Sequence, residues 1–187
     1  MQSNMSLAVE FFGSQAINGV PAVMEGSTRI LQTKGGIISA GASQSVSGSA
    51  IFGAIMSILA SGTGSDDSAF YVGYPSGSGF MIMGPLLNEQ GVRENDPAKP
   101  NYLFNEQPAT VVIKGRLRYA TYGSSAAGAI APIPGCRVCF QDTTGIINFL
   151  PAGTTVPAGY HQLQAVVVNV EEFTGIIDID ILGPAAA

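Results

Sequence analysis

The clearest pattern in the chain is an alternation of apolar and charged residues between Val111 and Ala120. The odd positions are mostly apolar, namely Val111, Ile113, Leu117 and Tyr119, whereas the even positions include the cations Lys114, Arg116 and Arg118. Successive side chains on a β-strand point to opposite faces, so this alternation predicts a strand with one buried face and one cationic face. A helix would distribute the same cations around its circumference.

The same alternation returns near the C-terminus with the opposite charge. Isoleucines occupy positions 177, 179 and 181, and Asp178 and Asp180 lie between them. If this strand lies beside the cationic one, its carboxylates can pair with the cations across the two strands. Such pairs help to set the register, although each exposed pair contributes only about 0.2–1 kcal/mol.

The other apolar segments are short and are separated by Gly, Ser and Pro turn material. The predicted strands are Phe70–Gly73, Gly79–Gly84, Cys136–Gln141, Gly145–Leu150 and Gln162–Val170. Ala50–Ala60 fits a buried helix or a buried strand, and its β-branched residues favour a strand. Gly84–Gln107 is predicted to be a surface loop. Strands at this spacing indicate a sandwich or a barrel rather than βαβ units.

The length of 187 residues predicts one domain. Only 11% of the residues are charged and the mean hydropathy is +0.30, yet no apolar run reaches the roughly 18–20 residues that span a bilayer. We therefore expect no membrane insertion. A surface with so few charges is hard to keep soluble in a lone monomer, so self-association or membership of a larger assembly is expected.

Residues 1–48 differ from the rest of the chain in being rich in Gly, Ser, Ala and Gln. This predicts an N-terminal arm with short strands that packs on the core or on a neighbour, followed by a β-rich core domain over residues 49–187. The tract Gly35–Ala50 is predicted to be a linker or a loosely held strand pair. The first residues lack the features of a secretory signal, so we expect synthesis without export.

The charge balance argues against binding of nucleic acid. The net charge is −5, the pI is about 4.6, and the chain has only eight Lys and Arg residues. Affinity for phosphates comes mainly from clustered cations.

We recognise no motif for catalysis, cofactor binding or metal binding in the sequence. Cys136 and Cys139 would point to opposite faces of a strand, so we expect two small buried hydrophobes rather than a disulfide or a shared metal site. The single His161 is predicted to lie in a Pro/Gly loop without a catalytic role. Asp66-Asp67 and the two C-terminal aspartates do not continue into a calcium loop. The sequence thus predicts a protein that is not an enzyme.

The cationic row of Lys114, Arg116 and Arg118 has two interpretations. It is either an outer sheet face that pairs with Asp178, Asp180 or water, or a surface that meets an acidic patch on a partner. The sequence leaves both open.

Several segments together resemble the structural cement, or capsid decoration, proteins of tailed-phage heads. They are FGAIMS, GFMIMGPLLNE, QPATVVIKGRLRYATYG, GCRVCFQDTTGIINFLPAG and AVVVNVEEFTGIIDIDI, and they span roughly Ile51 to Leu182. The family shows the same order of a GxL…E piece, a strand with a KGR sequence, a hairpin with a TG turn and a final strand. The N-terminal third matches less clearly.

The resemblance implies a non-catalytic all-β protein on the outer capsid surface of the virion, made in the host cytoplasm. We expect a single β-barrel or β-sandwich domain, β-tulip-like, with an extended N-terminal arm and little helix. Its partners would be the major capsid protein and copies of itself, with a homotrimer favoured, and it would stabilise the shell against internal pressure. The candidate contact residues are Leu7, Val9, Phe11 and Phe12 of the arm and the row Lys114, Arg116 and Arg118.

Two other classes remain open. One is a different virion β-protein, such as a head fibre or a tail-tube subunit. The other is a small-molecule-binding β-barrel or an enzyme built on one, for which aromatic residues should converge on a cavity. The chain has no Trp and only 8% aromatic residues, which disfavours this last class.

Overall fold

A computed structural model describes residues 19–21, 23–24, 27–28, 30–38, 49–58, 71–75, 81–88, 102–104, 106–120 and 122–184. All secondary-structure elements assigned in these ranges are β-strands, so the predicted all-β class is confirmed. Within the same ranges, no helix is long and apolar enough to cross a membrane.

The described residues form fourteen strands. They are β1 (Val20–Pro21), β2 (Val23–Met24), β3 (Ser27–Thr28), β4 (Ile30–Ile38), β5 (Ser49–Ile51), β6 (Ile55–Ile58), β7 (Tyr71–Gly73), β8 (Met81–Pro85), β9 (Tyr102–Phe104), β10 (Pro108–Tyr119), β11 (Arg137–Gln141), β12 (Ile147–Leu150), β13 (Tyr160–Val170) and β14 (Ile177–Ile181).

Ten of these strands belong to one sheet. Nine follow in the order β12-β11-β13-β14-β10-β4-β7-β6-β8, and β1 pairs with β10 beside this path. All of these pairs are antiparallel except β4 with β7. The sheet is open rather than closed into a barrel, although an isolated bridge between Leu86 and Val111 brings the residue after β8 to β10. Two small sheets, β2-β3 and β5-β9, accompany it.

Strand β10 is the central one of these nine strands, and it pairs on both of its edges. Pro108 to Gly115 pair with β4, and Gly115 to Tyr119 pair with β14. The β4 register shifts between Val112 and Gly115, which marks a bulge. A bulge adds a residue to one strand and changes which face the following side chains occupy.

The interior consists mainly of two core clusters, and β10 contributes side chains to both. The first core cluster contains most of the buried apolar side chains of β11 to β14 together with Ile55, Leu87, Val112, Leu117 and Tyr119. The second contains Ile38, Ala50, Phe52, Ala54, Met56, Val72, Tyr74 and Leu86 together with Ala109 and Val111. Val111 and Leu117, both at odd positions, therefore lie in different clusters. The prediction that the odd residues of β10 share one face is wrong because the bulge interrupts the alternation.

Specific contacts join the halves of the molecule that hold these clusters. The buried Tyr119 hydroxyl donates a hydrogen bond to the Gly53 carbonyl at 3.0 Å, and burial raises the pKa of this phenol. The Ile55 amide donates to the Gly145 carbonyl at 2.9 Å, so the turn between β11 and β12 lies against β6. The two halves therefore share buried hydrogen bonds.

Three expected segments differ from the structure. Ala50–Ala60 is not one strand, because a turn at Phe52 and Gly53 separates β5 from β6. Gly84–Gln107 is not wholly a surface loop, since Leu86 and Leu87 are buried and β9 lies within it. The residues of the tract Gly35–Ala50 that belong to β4 lie inside the main sheet, where backbone pairing compensates for a glycine-rich sequence.

The arm residues Leu7, Val9, Phe11 and Phe12 lie outside the described residues. Of the proposed arm region, β4 is a long strand between β10 and β7. The division of the chain at residue 48 stays a prediction.

Candidate interaction surface

The predicted pairing of the cationic and acidic strands is confirmed. In the ladder between β10 and β14, Arg116 lies opposite Asp180 and Arg118 lies opposite Asp178. The isoleucines on the other side of β14 are buried in the first core cluster. We call these two arginines and two aspartates the charged face.

Both pairs have bidentate geometry. Arg116 donates from Nε to Asp180 Oδ1 at 2.7 Å and from Nη2 to Oδ2 at 2.6 Å. Arg118 donates from Nε to Asp178 Oδ1 at 2.9 Å and from Nη2 to Oδ2 at 3.3 Å. A planar guanidinium matches the two oxygens of a carboxylate, and such pairs are stronger and more directional than single contacts.

These contacts also affect the ionisation of the arginines. The hydrogen bond that Arg116 donates to Asp180 raises the pKa of Arg116, although burial opposes this shift, and the bond to Asp178 acts in the same way on the pKa of Arg118. Both guanidinium groups therefore keep their charge throughout the ordinary pH range.

The charged face extends to β13 and to the turn that follows it. Asn169 lies opposite Asp178 and its Nδ2 is 3.5 Å from Asp178 Oδ2. Arg118 Nη2 is 3.3 Å from Glu171 Oε1. Asp178 is thereby held from both neighbouring strands, which explains how a carboxylate can be buried at this position.

The three cations of the predicted row have different surroundings. Arg116 and Arg118 are part of the intramolecular pairs, whereas Lys114 is exposed beside the bulge. The interpretation of the arginines as an outer sheet face paired with the two aspartates is therefore confirmed. A role of the row in binding a partner stays a prediction.

The cysteines are free and buried, as expected. Cys136 lies in the first core cluster, whereas Cys139 packs with Ala126 and Leu150 in a small third cluster. Burial raises the pKa of the Cys139 thiol to about 11 and also raises the pKa of Cys136. Both thiols are thus protonated and unreactive at neutral pH.

The prediction of His161 in a loop is wrong, because this residue belongs to β13. Its ring stacks on Phe140 with centroids 5.6 Å apart, and its Nε2 is 3.1 Å from Asp142 Oδ1. His161 lies opposite Phe140 in the ladder between β11 and β13. In the part of the chain that the structure describes, no group of three or more His, Cys, Asp or Glu residues could hold a metal ion.

One exposed feature, in the turn after β13, is not indicated by any pattern in the sequence. Phe173, in the turn between β13 and β14, has 98% of its surface exposed. A single aromatic residue in a turn has no periodicity, so only the structure distinguishes it from a buried one. We call residues 171–176 the Phe173 turn.

No protein-family model matches the chain, and no curated protein matches it.

Proposed function

We propose that this protein decorates and stabilises the outer surface of a tailed-phage capsid, binding the major capsid protein at subunit junctions. The observation that carries the proposal is the agreement between the segments that resemble the cement family and the strands of the main sheet. The quoted segments contain β8, β10, β11, β12 and β14 and overlap β6 and β13.

Two glycines within those segments support the proposal further. Gly145, in the TG turn of the hairpin, has φ of +64°, and a Cβ there would overlap the Ile55 carbonyl oxygen. Gly84, in the GxL piece, has φ of +152°, and a Cβ there would overlap the Val112 carbonyl oxygen. These positions require glycine for the packing of the fold, so they are a meaningful part of the resemblance.

The charge content is also suited to this role. A protein with 11% charged residues gains solubility when its neutral surface is covered by an assembly. Copies arranged around a symmetry axis of a shell can bind firmly through several modest contacts. In the expected homotrimer, each subunit would need only a weak contact with the capsid.

The test is binding of the purified protein to empty shells assembled from the major capsid protein of the virus that encodes it. Cosedimentation should be saturable, cryo-electron images should show regular density on the outer surface, and bound shells should rupture at a higher temperature. A matched chain lacking residues 1–18 tests the arm, and its weaker binding is expected. Absence of binding by the full chain, or its assembly into tubes or fibres, would contradict the proposal and favour a tail-tube or fibre protein.

A further inference from the structure

We infer that the Phe173 turn is an anchoring contact, in which Phe173 enters an apolar pocket bordered by Lys or Arg side chains on the capsid subunit. This inference rests on the proposed function for the identity of the partner. The evidence for the contact itself is the exposure, the rigidity and the charge of the turn.

Phe173 is far more exposed than any other large apolar side chain in the described ranges. Its exposure is 98%, whereas the next most exposed, Ile133 and Leu182, are each 53% exposed. A Phe side chain can bury about 150–250 Å² in a contact, and aromatic residues that fill pockets dominate the affinity of many interfaces. Full exposure in the free protein leaves all of this area for a partner.

Four hydrogen bonds hold the turn in one conformation. The Glu171 amide donates to the Ile176 carbonyl at 2.8 Å, and the Gly175 amide donates to the Glu171 carbonyl at 2.9 Å. Thr174 Oγ1 donates to Glu171 Oε2 at 2.9 Å and accepts from the Ile176 amide at 3.2 Å. Because the backbone is already ordered, binding through Phe173 loses little conformational entropy.

The charge of the turn determines the chemistry of the pocket. Glu172 is exposed next to Phe173, and Glu171 lies 3.3 Å from Arg118, which also binds Asp178. The surroundings of the ring are therefore acidic on balance, and a basic border on the partner is complementary. In a two-fold contact between copies, the same acidic turns would approach each other, which disfavours a second copy in that arrangement.

The register places a second apolar residue at the same end of the sheet. Because β11 and β13 are antiparallel and Arg137 lies opposite Val166, the loop before β11 and the turn after β13 share that end. Ile133 lies in this loop. Phe173 and Ile133 therefore lie at the same end of the sheet, whereas Leu182, whose amide donates to the Gln164 carbonyl, lies beside the middle of β13.

The test compares Phe173→Ala with Leu182→Ala, a matched control away from the Phe173 turn, using the full chain and the empty shells described above. Phe173→Ala should weaken binding about 30-fold, equivalent to about 2 kcal/mol, with an unchanged melting temperature. Leu182→Ala should stay within about twofold of the wild type. Phe173→Leu should recover part of the affinity, and Glu172→Lys should weaken binding more at low salt than at high salt.

The outcomes separate the inference from the proposed function. If the wild type does not bind shells, the proposed function is wrong, and so is the capsid subunit as the partner of the Phe173 turn. If the wild type binds and Phe173→Ala binds equally well, the function stands and the inference is wrong. If analytical ultracentrifugation shows that Phe173→Ala dissociates an oligomer while each subunit still binds shells normally, the occupant is a second copy and the capsid pocket is wrong.

Discussion

The two halves of β10 bury their side chains in different ways. In the first half, Val111 and Val112 are both fully buried, one in each core cluster, so both faces of the strand are covered. In the second half, Leu117 and Tyr119 face the first core cluster, while the opposite face holds Arg116 and Arg118. This difference shows that alternation of apolar and polar residues identifies a strand only where one face of the strand is exposed to solvent.

The largest expected effect is a charge introduced into the doubly buried half. Val112→Asp would place a carboxylate among apolar side chains, and we expect it to destabilise the protein by more than about 4 kcal/mol and to prevent folding. Circular dichroism and size exclusion would measure the loss of the folded monomer or oligomer. Lys114→Asp, two residues away and exposed, is the control and should change stability by no more than about 0.5 kcal/mol. A folded Val112→Asp protein of normal stability would contradict the burial of both faces.

A smaller effect is expected on the charged face. Asp180→Ala removes the bidentate partner of Arg116, whose side chain is only 12% exposed, and should cost about 1–3 kcal/mol in urea unfolding. A double-mutant cycle with Arg116→Ala isolates the energy of the pair. Glu171→Ala at the more exposed contact with Arg118 is the comparison and should cost less than about 1 kcal/mol. Equal losses at both positions would mean that burial does not determine the strength of these pairs.

The smallest expected effect is a change in the pH dependence of stability, which a buried thiol of the core should show and the charged face should not. Burial raises the pKa of Cys139 from its ordinary value of 9.0 to about 11, so between these pH values the folded protein keeps a proton that the unfolded chain releases. The stability from this group is complete below pH 9 and is lost as the pH rises towards 11. Urea midpoints at pH 8, 9 and 10 should therefore fall more steeply in the wild type than in Cys139→Ala.

The pH comparison has an internal control. Tyr119, whose pKa is also raised by burial, is present in both proteins, and its contribution cancels. The arginine pairs do not titrate in this range because their pKa values are raised as well. Parallel curves for the two proteins would show that Cys139 is not the group responsible.

Much of the fold could be predicted from the sequence where local signals agree. The strands β10, β11, β13 and β14 combine alternation or β-branched residues with turn residues at their ends, and the opposite charges of β10 and β14 indicated their register. The glycine-rich β4 could not be predicted, because its glycines give no strand pattern and its place in the sheet depends on pairing with β10 and β7. The bulge after Val112 leaves no pattern in a single sequence.

The candidate surface was predictable only in part. The Arg116 and Arg118 pairs follow from complementary patterns, and their geometry agrees with that expectation. Phe173 could not be predicted as a contact residue from the sequence, because its exposure depends on the path of the turn in three dimensions. The sequence also placed His161 in a loop, since the Pro and Gly residues before it conceal the start of β13.

The position of β10 between β4 and β14 affects how the chain is made. Arg116 and Asp180 are 64 residues apart in sequence, so at about 5–20 residues per second the ribosome needs several seconds after completing β10 to deliver its second neighbour. During that interval one edge of the central strand exposes its backbone amides and carbonyls, which favours aggregation. Completion of the sheet therefore has to await the synthesis of β14, and chaperones can bind the exposed edge during this interval.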